Sequence, residues 1–208
     1  ITLNNLANNA TVSLGGTDAD GTTYGTSSDT LTISAPVSGA TAVTLNNTAA
    51  GNVTVLDAVF GSTYRDVTVR LGASKDMTFT TLQGTGLTGL NIGGNAVSST
   101  SGLPFAGAIS IGTLTAGNLT SLTADTTQGA ITVGSSAMTA ARLASVTASG
   151  TNAFNFGASS ATTTALASFD ASSMSGDVTI GQGVDFTTSA SIKTGAGSDS
   201  IWMNIQSF

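Results

Sequence analysis

The chain has 208 residues, a net charge of −6, no cysteine and no histidine; charged residues are only 8% and glutamate is absent. These figures exclude disulfides, thiolate and imidazole metal sites and Ser-His catalysis. They leave too few cations to neutralise nucleic-acid phosphates and argue against long solvated helices, which favour Glu and Lys. With 40% hydrophobic residues and a mean hydropathy of +0.28, the chain is also too apolar to stay disordered.

In chain order, the first candidate strands are Ile1 to Leu3 (ITL), Val12 to Leu14 (VSL), Thr22 to Tyr24 (TTY) and Leu31 to Ile33 (LTI). From Val43 onward the pattern becomes a repeat. One series of apolar-polar-apolar triplets starts at Val43, Val67, Leu90, Leu122, Val146, Phe169 and Ile192, with steps of 24, 23, 32, 24, 23 and 23. A second series falls between them, starting at Val53, Met77, Ile109, Ile131, Phe154, Val178 and Ile201. Both series share one long step, which assigns a single insertion loop to residues 94–107. The early triplets extend the series, Ile1 and Thr22 in the first and Val12 and Leu31 in the second.

Each triplet turns two apolar side chains one way and a small polar one the other, the mark of a half-buried strand. The stretches between are rich in Gly, Ser, Asn and Asp, which turn corners. A further ladder, Leu87, Leu119, Leu143 and Leu166, precedes the first series by three residues. Residues 136–144 (SAMTAARLA) contain good helix formers, but the matching stretch one period later does not, so a loop is expected. A fixed period with two short strands per unit predicts an all-β parallel β-solenoid of about eight or nine coils of 23–24 residues. Residues 1–208 then form one solenoid segment. With no polar cap at either end, no signal peptide and no transmembrane run, the segment is expected to belong to a longer protein.

Two stretches carry oxygen ligands suited to a hard cation. Residues 194–202 (TGAGSDSIW) match the calcium-binding nonapeptide G-G-x-G-x-D-x-U-x except at the first Gly. There Gly195 and Gly197 permit a tight turn and Asp199 supplies an anionic oxygen, with Asp177 on the preceding coil as a second carboxylate. An ordinary Gly-Asp corner is the alternative. Near the start, Asp18 and Asp20 stand at i and i+2 before Gly21, like the front of an oxygen-ligand loop. No Glu follows at EF-hand distance, so a solvated acidic insertion is the favoured reading there. Calcium is the one cofactor expected.

Other constellations read as structural. The middle Thr residues (Thr44, Thr68, Thr123, Thr147 in one series; Thr54, Thr78, Thr132, Thr179 in the other) could order ice or bind polysaccharide. They are expected instead to be exposed strand positions, because Asn91, Asn155, Asp170, Lys193 and Trp202 interrupt the rows. The charge-rich stretch with Asp57, Arg65, Asp66, Arg70, Lys75 and Asp76 predicts salt-bridged corners of adjacent coils. No enzyme activity is expected.

The stretch LASFDASSMSGDVTIG followed by SIKTGAGSDSI resembles bacterial surface-layer (S-layer) proteins with RTX-type calcium repeats; the match in style covers most of the chain, and its specific part is residues 143–203. That resemblance implies type I secretion, calcium-dependent folding and a two-dimensional lattice at the bacterial cell surface. One imperfect nonapeptide stands here where such proteins usually carry several. A second resemblance, to leucine-rich repeats, rests on Leu87, Leu90, Ile92 and Asn95; two strands per unit rank it below the solenoid. The expected function is a structural segment of a secreted S-layer protein. Its partners are copies of itself, with surface polysaccharide second and no nucleic acid. The alternative is the stalk or glycan-binding module of a large RTX-type adhesin.

Overall fold

The structure, a computed structural model, describes residues 1–15, 30–33, 41–48, 52–71, 75–93, 106–157, 161–163 and 166–203. These residues form eighteen strands in two sheets, and the strands pair in parallel throughout. The first sheet holds β2 (Ala10–Leu14), β4 (Ala42–Asn47), β6 (Asp66–Leu71), β8 (Gly89–Gly93), β10 (Ser121–Asp125), β12 (Ser145–Gly150), β15 (Leu166–Met174) and β17 (Phe186–Lys193), in that spatial order. The second stacks β1 (Thr2–Leu3), β3 (Thr30–Ile33), β5 (Val53–Phe60), β7 (Met77–Gly84), β9 (Ile109–Thr115), β11 (Ile131–Thr139), β13 (Phe154–Phe156), β16 (Val178–Ile180) and β18 (Ser200–Ile201). A short β14 (Ala161–Thr162) pairs with the end of β11. The fold is a β-solenoid, as the repeat predicts. Among the described residues no helix is long and apolar enough to cross a membrane.

The triplets set the register. Val43, Val67, Leu90, Leu122, Val146, Phe169 and Ile192 stand level across the first sheet. In the second sheet Ile131 lies between Ile109 and Phe154. The ladder continues past the long step, with Met77 against Ile109 and Leu90 against Leu122. Residues 94–105 of the expected insertion lie outside those described; Gly107, at its end, donates its N–H to the Gln128 carbonyl.

Six coils have both strands buried, from β4–β5 to β15–β16, against the eight or nine equivalent coils expected. The pairs β2–β3 and β17–β18 flank them and are thinner: β2 is only half-buried and β18 is exposed.

The core has a third side that the triplets do not announce. In β5 and β9 the inward-outward alternation skips a beat, with two successive half-buried residues, and resumes one residue out of step at Ala58, Phe60 and Leu114. Two neighbours on the same side of the pleat mean a bend, so one strand wraps a corner and lines two walls. Ala58, Leu82, Leu114 and Met138 form the inner ladder of that wall. The expected leucine ladder is wholly buried, and Tyr64 occupies its next step down. Phe154, Phe156 and Phe169 meet in the middle with ring centroids 5.9–6.2 Å apart, a separation at which aromatic pairs add about 1 kcal/mol beyond burial.

Several local expectations are corrected. The residues that could have made a helix belong to β11 through Thr139 and then turn. Val12 lies in the first sheet, level with Leu45, while Leu3 lies in the second, level with Ile33. Leu31 and Ile33 align with Ala58 and Phe60 rather than Val53 and Val55. A triplet alone does not say which wall it faces, because all three walls use the same alternation. Thr22 to Tyr24 lie outside the described residues, as does Asn95 of the leucine-rich pattern.

Candidate functional site

The C-terminal corner forms where β15–β16 meets β17–β18. Sequence spacing aligns Ile201 with Val178; the structure instead pairs Ser200 with Thr179 and Ile201 with Ile180. This slip of two residues brings Asp199 level with Val178 and Ser198 level with Asp177. Two reciprocal bonds follow. Asp177 Oδ1 accepts the Ser198 N–H at 2.7 Å, and Asp199 Oδ1 accepts the Val178 N–H at 3.0 Å. Asp177 is exposed and Asp199 half-buried.

Gly195 and Gly197 are placed for a reason other than the one expected. Neither adopts the left-handed backbone. A Cβ on Gly195 would overlap the Met174 carbonyl, and one on Gly197 the Gly176 carbonyl. Glycine lets this corner lie directly on the backbone of the coil beneath. The structure thus gathers Gly195, Gly197, Asp199 and Asp177 into one corner. Asp18 and Asp20 lie outside the described residues.

Among the described residues the second oxygen of each carboxylate has no hydrogen-bond donor, so two anionic oxygens on neighbouring coils would face a hard cation. Among the described residues no group of three or more Asp, Glu, His or Cys converges as a metal site. A cation here would therefore complete its six to eight oxygen ligands with backbone carbonyls and water.

The spacing also hides a set of caps. Asn8 Oδ1 accepts the N–H groups of Thr41 and Ala42, Asn52 Oδ1 that of Asp76, and Asp76 Oδ1 that of Ala108 at 2.8 Å. Asp177 belongs to this series. Each cap ties a corner to the next coil by satisfying a donor at the start of a strand. The signal for most of them was visible as an Asx residue directly before an inward triplet: Asn52-Val53, Asp76-Met77, Asp177-Val178.

The expected salt-bridged corner around Arg65 to Asp76 takes another form. Arg65 Nη1 donates to the Gly86 carbonyl at 2.8 Å, and Asp76 serves as the cap just described. A weak pair sits elsewhere, Lys193 Nζ 3.8 Å from Asp170. Asp170 also accepts the side-chain hydroxyl and backbone N–H of Ser172 at 2.6 and 3.0 Å. Those two bonds, aided by Lys193, hold its carboxyl below the usual range.

The polar columns differ between sheets. On the first sheet the column reads Thr44, Thr68, Asn91, Thr123, Thr147, Asp170, Lys193. On the second it reads Thr54, Thr78, Ser110, Thr132, Asn155, Thr179, Ser200. The register slip removes Trp202 as an interruption, so the second column carries hydroxyl or amide groups without a charge along its length. No protein-family model, curated protein or solved structure matches this chain.

Proposed function

We propose that this solenoid is a structural segment of a secreted bacterial S-layer protein, assembling with copies of itself into a calcium-dependent cell-surface lattice. The observation that carries this reading is the C-terminal corner, where Asp177 and Asp199 on successive coils are locked together by reciprocal backbone bonds and each keep an oxygen with no donor among the described residues. Calcium bound there would cross-link these two coils and stiffen their corner, coupling assembly to the ion. The rest of the molecule supports a scaffold role. Its chemistry is spent on stacking coils, with Asx caps at the corners and short polar side chains outward. Surface polysaccharide is a secondary partner in this proposal, and the protein is proposed to have no enzymatic activity.

Electron microscopy of the full-length protein with and without millimolar calcium tests the reading. Ordered sheets that form with calcium and disperse with chelator are expected. Single rods in both conditions would overturn it.

A further inference from the structure

We propose that β18 has two registers on β16, and that calcium at Asp177 and Asp199 selects the one described above, making this corner a cation-operated switch in strand pairing. The proposal rests on the calcium reading of the corner and adds what the ion does there.

Two observations carry it. The first is a change of partner in the backbone ladder. On the coils beneath, the N–H that opens each second-series triplet donates to a backbone carbonyl one coil on: Val53 to Asp76, Met77 to Ala108, Ile109 to Ala130, Ile131 to Ala153 and Phe154 to Asp177. Val178 departs from this series, because its N–H donates to the Asp199 side chain. With Ser200 paired to Thr179, Asp199 stands level with Val178, where the ladder otherwise places an apolar residue. The second observation is the length of the corner. Nine residues of chain lead from Thr123 to Thr132 and nine from Asp170 to Thr179, but seven from Lys193 to Ser200. The shortened turn lies so close on the coil beneath that a Cβ at Gly195 or Gly197 would overlap a backbone carbonyl there.

A shift of two residues keeps every side chain on its own face and restores both regularities. In this in-period register Ile201 covers Val178, Met203 covers Ile180, the Val178 N–H meets the Ser200 carbonyl, and the corner is nine residues long. It gives up the two bonds to the Asp177 and Asp199 carboxylates. One more inward apolar side chain is thus exchanged for two hydrogen bonds to charged acceptors, terms of similar size.

The two carboxylates decide between the registers. In the one described they stand diagonally across neighbouring coils, and a divalent cation turns their repulsion into attraction. In the other, Asp199 lies about 7 Å farther along the strand, beyond the reach of an ion whose ligands sit at roughly 2.3–2.6 Å. A ligand that binds one state alone shifts the equilibrium in proportion to its saturation. At about 10 mM calcium and a Kd on the order of 10⁻⁴ to 10⁻³ M, that shift is about ten- to a hundredfold.

The chain has no native cysteine, so paired outward cysteines report the register. Thr179→Cys with Ser200→Cys sets the two thiols level in the described register. Thr179→Cys with Trp202→Cys does so only in the in-period one, since otherwise the two Cα atoms are about 8 Å apart, too far for a disulfide. In calcium the first pair is expected to close faster than the second, and chelator should lower that ratio about ten- to a hundredfold. Met203→Asn, which turns an amide inward only in the in-period register, should preserve the first pairing in chelator. Circular dichroism establishes that each variant is folded. In the unsubstituted chain the same change reads as cross-strand NMR contacts of Thr179 passing from Ser200 to Trp202. If chelator leaves the ratio and these contacts unmoved while calcium still raises the melting temperature, the switch is wrong and the calcium site stands. If calcium moves neither the pairing nor the melting temperature, both fail.

Discussion

At the scale of single residues, Tyr64 is the odd member of its ladder. Leu87, Leu119, Leu143 and Leu166 fill the same inward step on later coils, whereas Tyr64 brings a fully buried hydroxyl with no hydrogen-bond partner among the described residues. A buried unpaired polar group costs about 1–3 kcal/mol. Tyr64→Phe is therefore expected to leave stability unchanged or raise it by about 1 kcal/mol in urea unfolding. Burial also raises the phenol's pKa above its ordinary 10.0. The folded state thus holds this proton more tightly than the unfolded chain, and stability should fall as pH climbs past the unfolded value. Tyr64→Phe should flatten that alkaline loss. Asp170 shows the opposite sign: with its carboxyl held low, its small contribution is present above the ordinary 3.8 and fades as pH falls through the folded value. Ser172→Ala should move the Asp170 titration back upward by NMR.

At the scale of elements, the stacking of triplets makes sharper demands. Phe154 is fully buried between Ile131 and Val178 and packs on Phe156 and Phe169. Phe154→Ala should cost about 3–5 kcal/mol, while Phe154→Asp should unfold its coil and the next. Hydrogen exchange would separate the two, since the aspartate variant should lose protection from β13 to β18 first. Gly195→Ala should lift the last coil off Met174, lowering stability by about 1–3 kcal/mol and disordering β18 before the rest.

For the whole molecule, calcium is the decisive measurement. A ligand that binds the folded state alone stabilises it by mass action, so millimolar calcium should raise the melting temperature if the ion sits at Asp177 and Asp199 with a Kd on the order of 10⁻⁴ to 10⁻³ M. Asp199→Ala confuses this test, because Asp199 also accepts the Val178 N–H. Asp199→Asn keeps that acceptor and removes the charge. It should abolish the calcium increment and leave the calcium-free melting curve close to wild type. A wild-type curve that calcium leaves unmoved would reduce this corner to solenoid geometry.

The sequence alone determined the repeat, the parallel stacking and the triplet walls of the core, because Φ-x-Φ triplets at a fixed period have one economical arrangement, each coil covering the next. The first-series ladder from Val43 to Ile192 followed directly, since every member is a triplet flanked by turn residues. Where side chains carry the register, spacing was enough. Tertiary structure decided what triplets cannot encode: which wall Val12 and Leu31 join, the corner bend after Val55, and the slip that sets Ile201 on Ile180. These depend on how many residues a corner absorbs, and that number is fixed by backbone contacts such as Gly195 on Met174 and by the Asx caps. The candidate site lay in that same gap. Its residues were readable as an acidic, glycine-rich turn, but only the slipped register brought Asp177 and Asp199 into reciprocal contact, because a carboxylate meets its neighbour through the stacking of coils and not through its place in the chain.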